Sequence, residues 1–219
     1  RDWGHAHRFA GSGDRAAIGN LVFDALRRRA SIAWCMQADT GRALALGAYA
    51  LVWGNDLDHV EVALASDRHS DGPLSDDERT AIRRCLSGTA LDDAPEHVRG
   101  DYPEWLDPAF ETAFGGERAE EGAGLSQRAP VDLRVNTLKT DRAKALKALA
   151  RFAPEPTPFS PFGLRVAVGS GPARAPNIQA DAAYQRGRIE VQDEASQLAA
   201  ILALDPSHRQ IGDLCAGGG

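Results

Sequence analysis

The sequence predicts an α+β multi-domain chain in which an all-α bundle is followed by a small α+β module and then by the opening helix and strand of a further α/β domain. Three observations predict it. Apolar residues recur at helical spacing through residues 1–116, the period drops to two at Val131, and the sign of the charge changes at nearly the same place. The 219 residues carry a formal net charge of −6, but residues 1–124 sum to −9, residues 125–190 to +6 and residues 191–219 to −3. All three lysines, Lys139, Lys144 and Lys147, lie in the middle segment. The acidic average argues against a polyanion partner, and division by segment removes that objection. It leaves a nucleic-acid-facing module or a solvated basic helix face.

The elements follow in order. Ile18, Leu21, Val22, Ala25 and Leu26 mark one face of a first helix, whose last turn carries Arg27, Arg28 and Arg29 against the negative helix end. Arg42 to Trp53 is apolar nearly all round and belongs at the centre of a bundle. Ser75-Asp-Asp-Glu78 is a capping box that opens a helix through Ile82, Cys85 and Leu86. Asp101-Tyr-Pro-Glu-Trp-Leu106 sets proline where a helix can start, with Phe110 and Phe114 following at spacing four. Residues 1–116 therefore form the helical domain and residues 117–127 a linker or short helix.

A basic α+β module is expected over residues 128–186. Val131, Leu133 and Val135 alternate with Asp132, Arg134 and Asn136, as in a half-buried strand. Thr140 is the expected cap of a helix carrying Ala143, Leu146, Ala148 and Leu149. The proline-rich stretch Pro154–Pro161 leads to a strand at Gly163–Val168, and a third strand is expected at Gly187–Val191. Residues 187–219 open the next domain, with an amphipathic helix from Gln192 to Leu204 and a strand from Ile211 to Leu214. The apolar face of that helix would normally lie on a parallel sheet, so it is expected to be frayed or covered by a substitute surface.

Composition excludes several classes. With 43% apolar and 26% charged residues the chain can build a core, and it has no apolar run near the roughly 18 residues of a membrane span. Cys35, Cys85 and Cys215 are too few and too scattered for a disulfide framework or a zinc knuckle, which fits a reducing cytoplasm. The histidines have no metal-ligand spacing with them. Cys35 and Cys85 sit at apolar helical positions and read as core residues.

The sharpest motif is Asp213-Leu-Cys-Ala-Gly-Gly-Gly219. A strand that delivers an acidic residue into a glycine-rich turn lets backbone amides approach a nucleotide-like ligand, although such an end can also be a plain loop. Its spacing is neither that of a dinucleotide fingerprint nor that of a phosphate loop. In the middle segment, Arg128, Arg134, Lys139, Arg142, Lys144, Lys147 and Arg151 supply the charge that would follow a phosphate backbone.

Pro130-Val-Asp-Leu-Arg-Val-Asn-Thr-Leu-Lys139, Ile189-Glu-Val-Gln-Asp-Glu-Ala-Ser-Gln-Leu198 and Asp213-Leu-Cys-Ala-Gly217, in that order, resemble the RsmB/Sun/Fmu family of bacterial 16S rRNA cytosine-C5 methyltransferases. The resemblance is sharp over residues 125–219 and looser over the helical segment, which is similar to the NusB-like domain of many members. It implies a Rossmann-like class I methyltransferase domain beginning at residue 187, with Cys215, Ala216, Gly217, Gly218 and Gly219 contacting S-adenosyl-L-methionine. Gly218 stands where the family's donor motif has proline. The implied RNA-binding residues are Arg134, Asn136, Lys139, Lys144 and Lys147, and the implied partner is 16S rRNA, bound by a cytoplasmic monomer with no membrane contact. In this family a thiolate adds to C6 of cytosine so that C5 can attack the methyl group. Its two cysteine motifs follow the donor loop, so none of the three cysteines is implied as catalytic. The sequence thus reads as an N-terminal fragment that is inactive alone. The alternative is a non-enzymatic RNA-binding or NusB-like interaction protein.

Overall fold

A computed structural model describes residues 3, 6–66, 72–203, 210 and 212. The chain divides into two units, residues 1–128 with 169–174, and residues 129–168 with 175–219.

The first unit is helical. Its helices are α1 (Ser12–Arg27), α2 (Arg29–Met36), α3 (Gly41–Gly47), α4 (Leu57–Ser66), α5 (Asp76–Leu86), α6 (Glu96–Arg99), α7 (Asp107–Phe114) and α8 (Arg118–Leu125). The run from Arg42 to Trp53 is central, as its composition requires. It forms α3 and then a π-helical turn, Ala48–Val52, and buries Ala43, Leu46, Ala48 and Ala50 against Ile32, Val60 and Ile82. The capping box of α5 is formed on both sides. Ser75 Oγ accepts from the Glu78 amide at 3.1 Å, and the Ser75 amide donates to the Glu78 carboxylate at 2.8 Å. Residues 117–127 contain α8, so this stretch takes the helical of its two expected forms.

Two helical expectations need correction. Of the expected face of the first helix, Ala25 is buried and Leu21 packs on the core, but Ile18, Val22 and Leu26 are 41%, 50% and 56% exposed. The helix also turns Asp24 inward, where it is held by Arg128 at 2.6 Å, Trp53 at 3.0 Å and Arg27 at 3.2 Å. A buried carboxylate with three donors outweighs an apolar stripe in orienting the helix. Nor do the three arginines share one last turn. Arg28 is the junction between α1 and α2, and its guanidinium meets the buried Asp101 at 2.6 Å.

The second unit contains β1 (Val131–Val135), α9 (Arg142–Ala148), β2 (Glu155–Pro156), β3 (Gly163–Val166), α10 (Ala182–Gln185), β4 (Ile189–Val191) and α11 (Glu194–Ala203). The strands form one sheet in the order β2-β3-β1-β4 with every neighbouring pair antiparallel. The chain order βαββαβ with β1 and β3 central is the ferredoxin-like arrangement. One face packs Leu133, Val135, Leu164, Val166 and Ile189 against Ala145 and Leu149 of α9 and Ala183 of α10. On α9 the cap is Asp141, which accepts from the Lys144 amide at 2.8 Å, and not Thr140. The inward residues are Ala145 and Leu149, while Ala143 and Ala148 are exposed.

Residues 189–191 pair with β1 in register Leu133↔Val191, Arg134↔Glu190 and Val135↔Ile189. β4 thus completes the four-stranded sheet. The outer face departs from simple alternation at Asp132, which is 5% exposed. Both its oxygens accept from Arg165 at 2.7 Å, and one also accepts from the Glu194 amide at 3.1 Å, at the start of α11. The Glu194 carboxylate in turn accepts from the amides of Phe159 and Ser160, and Ser160 Oγ donates to Gln197 at 2.7 Å. These polar bonds fix α11. Its buried residues are Glu194 and Gln197, Ala195 is exposed and Leu202 is 85% exposed. The helix is thus formed and not frayed, with Leu198 and Ile201 half-buried and Ala195 and Leu202 exposed. The strand expected at 211–214 lies outside the described residues.

Candidate nucleic-acid interface

The site lies where β1 ends. Asn136 closes the strand and ties two turns together, with its side-chain amide donating to Gly187 O at 3.0 Å and its Oδ1 accepting from the Leu138 amide at 3.1 Å. Lys139 Nζ donates to Arg186 O at 3.1 Å. Gly187 has a positive φ of 63°, and a Cβ there would come within 2.7 Å of Lys139 Nζ. Glycine at this turn therefore serves both the left-handed backbone and the approach of the lysine. Arg134 precedes this corner on the outer face, between Glu190 on one neighbouring strand and Gly163, which offers no side chain, on the other.

Arg134, Asn136 and Lys139 line one cavity of about 420 Å³, together with Leu138, Phe162 and Glu190. Leu138 is 94% exposed at the tip of its turn. Lys139 also lines a second niche of about 130 Å³, shared with Thr140, Lys144, Ala183 and Arg188. Lys144 is held by Asp141 at 2.8 Å, a pair in which both side chains are about half exposed or more. That bond raises the lysine's pKa and holds the Asp141 carboxyl below its usual range. Lys147 is exposed in the last turn of α9 and lines neither cavity.

The wider basic cluster is thinner than its residue count. Arg128 belongs to the helical unit, where Asp24 and Gly169 O take its guanidinium at 2.6 and 2.9 Å. Arg151 is paired with Asp181 at 2.5 Å and lies over the Phe152 ring. Arg142 donates weakly to Ser160 O at 3.4 Å. Sequence reasoning missed Phe162, Arg188 and Glu190. The basic turn Arg186-Gly-Arg188 was visible as a signal, but only strand pairing brings it beside Asn136.

In the motif at α11, Asp193 accepts from the Ala195 amide at 2.8 Å, and Gln192 Oε1 is buried with no hydrogen-bond partner among the described residues. Cys35 and Cys85 are 1% and 3% exposed in the bundle core. The neighbouring Cys35 side chain and burial push the Cys85 thiol up. Cys215, Ala216, Gly217, Gly218 and Gly219 lie outside the described residues.

A family model described as Methyltr_RsmF/B-like, ferredoxin-like domain matches residues 102–170. The match falls largely on the four-stranded module, which is similar to the ferredoxin-like domain of RsmF/B-like methyltransferases. Among curated relatives, ribosomal RNA small subunit methyltransferase B of Sodalis glossinidius is 26% identical over 94% of this chain and 51% of its own length. The probable small subunit methyltransferase B of Bacillus subtilis is 33% identical over 54% of this chain and 26% of its own. The Pseudomonas syringae protein is 32% identical over 56% and 27%. These relatives are named ribosomal RNA small subunit methyltransferase B, and the chain is similar to them. It spans about half the length of the relatives it matches most fully. The crystal structure of PH0851 shares the fold at a TM-score of 0.50 and 17% identity, over 92% of this chain and 49% of that one.

Proposed function

We propose that the whole protein transfers a methyl group from S-adenosyl-L-methionine to C5 of a cytosine in 16S rRNA, acting in the cytoplasm as a monomer. In this reading residues 1–116 are a NusB-like domain and the ferredoxin-like module binds RNA. The sequence beyond β4 begins a Rossmann-like class I methyltransferase domain, and Cys215, Ala216, Gly217, Gly218 and Gly219 contact the donor. The observation that carries the reading is the convergence of Arg134, Asn136 and Lys139 on one open cavity, in a module whose relatives are named rRNA methyltransferases. Arg134 and Lys139 hold rRNA phosphates, while Asn136 keeps the corner in shape. Cys35 and Cys85 are too deeply buried to attack a base, which agrees with a nucleophile placed elsewhere.

The test uses the full-length protein, labelled donor and 16S rRNA, with product nucleosides separated by mass and C5 methylation read by bisulfite resistance. Arg134→Ala is expected to lower kcat/KM by about tenfold, mainly through KM, the size of one good phosphate contact. Methylation at an exocyclic nitrogen or a ribose oxygen would overturn the assignment.

A further inference from the structure

We infer that the end of β1 carries a subsite for one unpaired nucleotide, with its base in the cavity between Leu138 and Phe162 and its phosphate in the niche formed by Lys139, Lys144 and Arg188. The inference rests on the RNA-binding reading above and deepens it.

Two cavities of unequal size share one lysine. The larger, of about 420 Å³, falls in the range of small-ligand sites and combines an aromatic and an aliphatic wall with polar groups at its edge. The smaller, of about 130 Å³, has no room for a ring with its sugar, but three cationic side chains and the Thr140 residue line it. That is the inventory for a tetrahedral anion.

Charge decides which part goes where. Glu190 lines the larger cavity, and its carboxylate, which also raises the pKa of Tyr184, disfavours a phosphate inside it and leaves the exposed Arg134 to a neighbouring phosphate at its rim. No carboxylate lines the smaller niche. Asp141 is the nearest acidic competitor through its bond to Lys144, but that pair is exposed and inexpensive to open. Arg188 makes no side-chain hydrogen bond or ion pair among the described residues, so its guanidinium is available. Lys139 is fixed at the boundary by Arg186 O and by the absence of a Cβ at Gly187. A base can enter this cavity only when it is unstacked, and this selects single-stranded RNA over a duplex.

The experiment measures anisotropy of the 219-residue chain with a labelled single-stranded RNA, the same strand in a duplex, and the same strand carrying one abasic position, over a salt series. Arg188→Ala is expected to weaken single-strand binding about tenfold and to make the salt slope shallower by nearly one counterion. Phe162→Leu is expected to weaken it several-fold at unchanged slope, and the abasic strand to bind the variant and the original chain alike. Lys147→Ala, outside both cavities, is the basic control and should have a smaller effect than Arg188→Ala. Equal affinity for strand and duplex, or equal losses at Lys147 and Arg188 with none at Phe162, would overturn the subsite and leave the RNA reading standing. No RNA binding at any salt would overturn both.

Discussion

At the residue scale, Asp132 shows how one side chain can reverse a pattern. Alternation along β1 places it outward, and outward is usually wet, yet Arg165 and the first amide of α11 enclose it. The Arg165 guanidinium holds the carboxyl below its ordinary 3.8, so the folded state binds its proton less readily than the unfolded chain does. Its contribution is therefore full above about pH 4 and is lost as the pH falls through the lowered native value. Asp132→Asn should cost about 2 kcal/mol near neutrality, less than a fully buried pair because Arg165 is 37% exposed. Denaturant melts should show the gap to the original chain narrowing below pH 4. Gly187→Ala gives a second measure of single-residue demand. Its positive φ and the nearby Lys139 predict a loss of about 1 kcal/mol and weaker RNA binding. Neither result was available from spacing alone, because Arg165 and Lys139 reach these sites across the sheet.

At the scale of elements, what was legible was local. The capping box at Ser75 and Glu78, the central hydrophobic run and the strand at Val131 depend on neighbours in sequence, and the structure contains all three. Ser75→Ala should cost about 1 kcal/mol, readable as a lowered Tm with unchanged helical content. What was not legible was which side of an element meets another. α1 and α11 both carry an apolar stripe, and both are oriented by buried polar groups instead, Asp24 in one and Glu194 with Gln197 in the other. Hydrophobic periodicity counts apolar area and cannot see a distant arginine or amide. The same limit hid Phe162 and Arg188, whose site exists only once β3 and β4 flank β1.

At the scale of the molecule, the charge division predicts behaviour that the net charge of −6 conceals. Binding of single-stranded RNA should weaken with salt, with a log–log slope of roughly −2 to −3 for the few cations left free around the two cavities, in place of the roughly −4 that a charge of +6 would give. An anisotropy titration between low and physiological salt measures it.

The strand order has one more consequence, for synthesis. β1 is the first strand made, and β3 and β4 must both find it, so one of its edges stays open from the completion of Val166 until Ile189 follows. A nascent chain paused in that interval presents a row of unsatisfied amides and carbonyls beside Leu133 and Val135, an aggregation hazard that ends when the fourth strand docks.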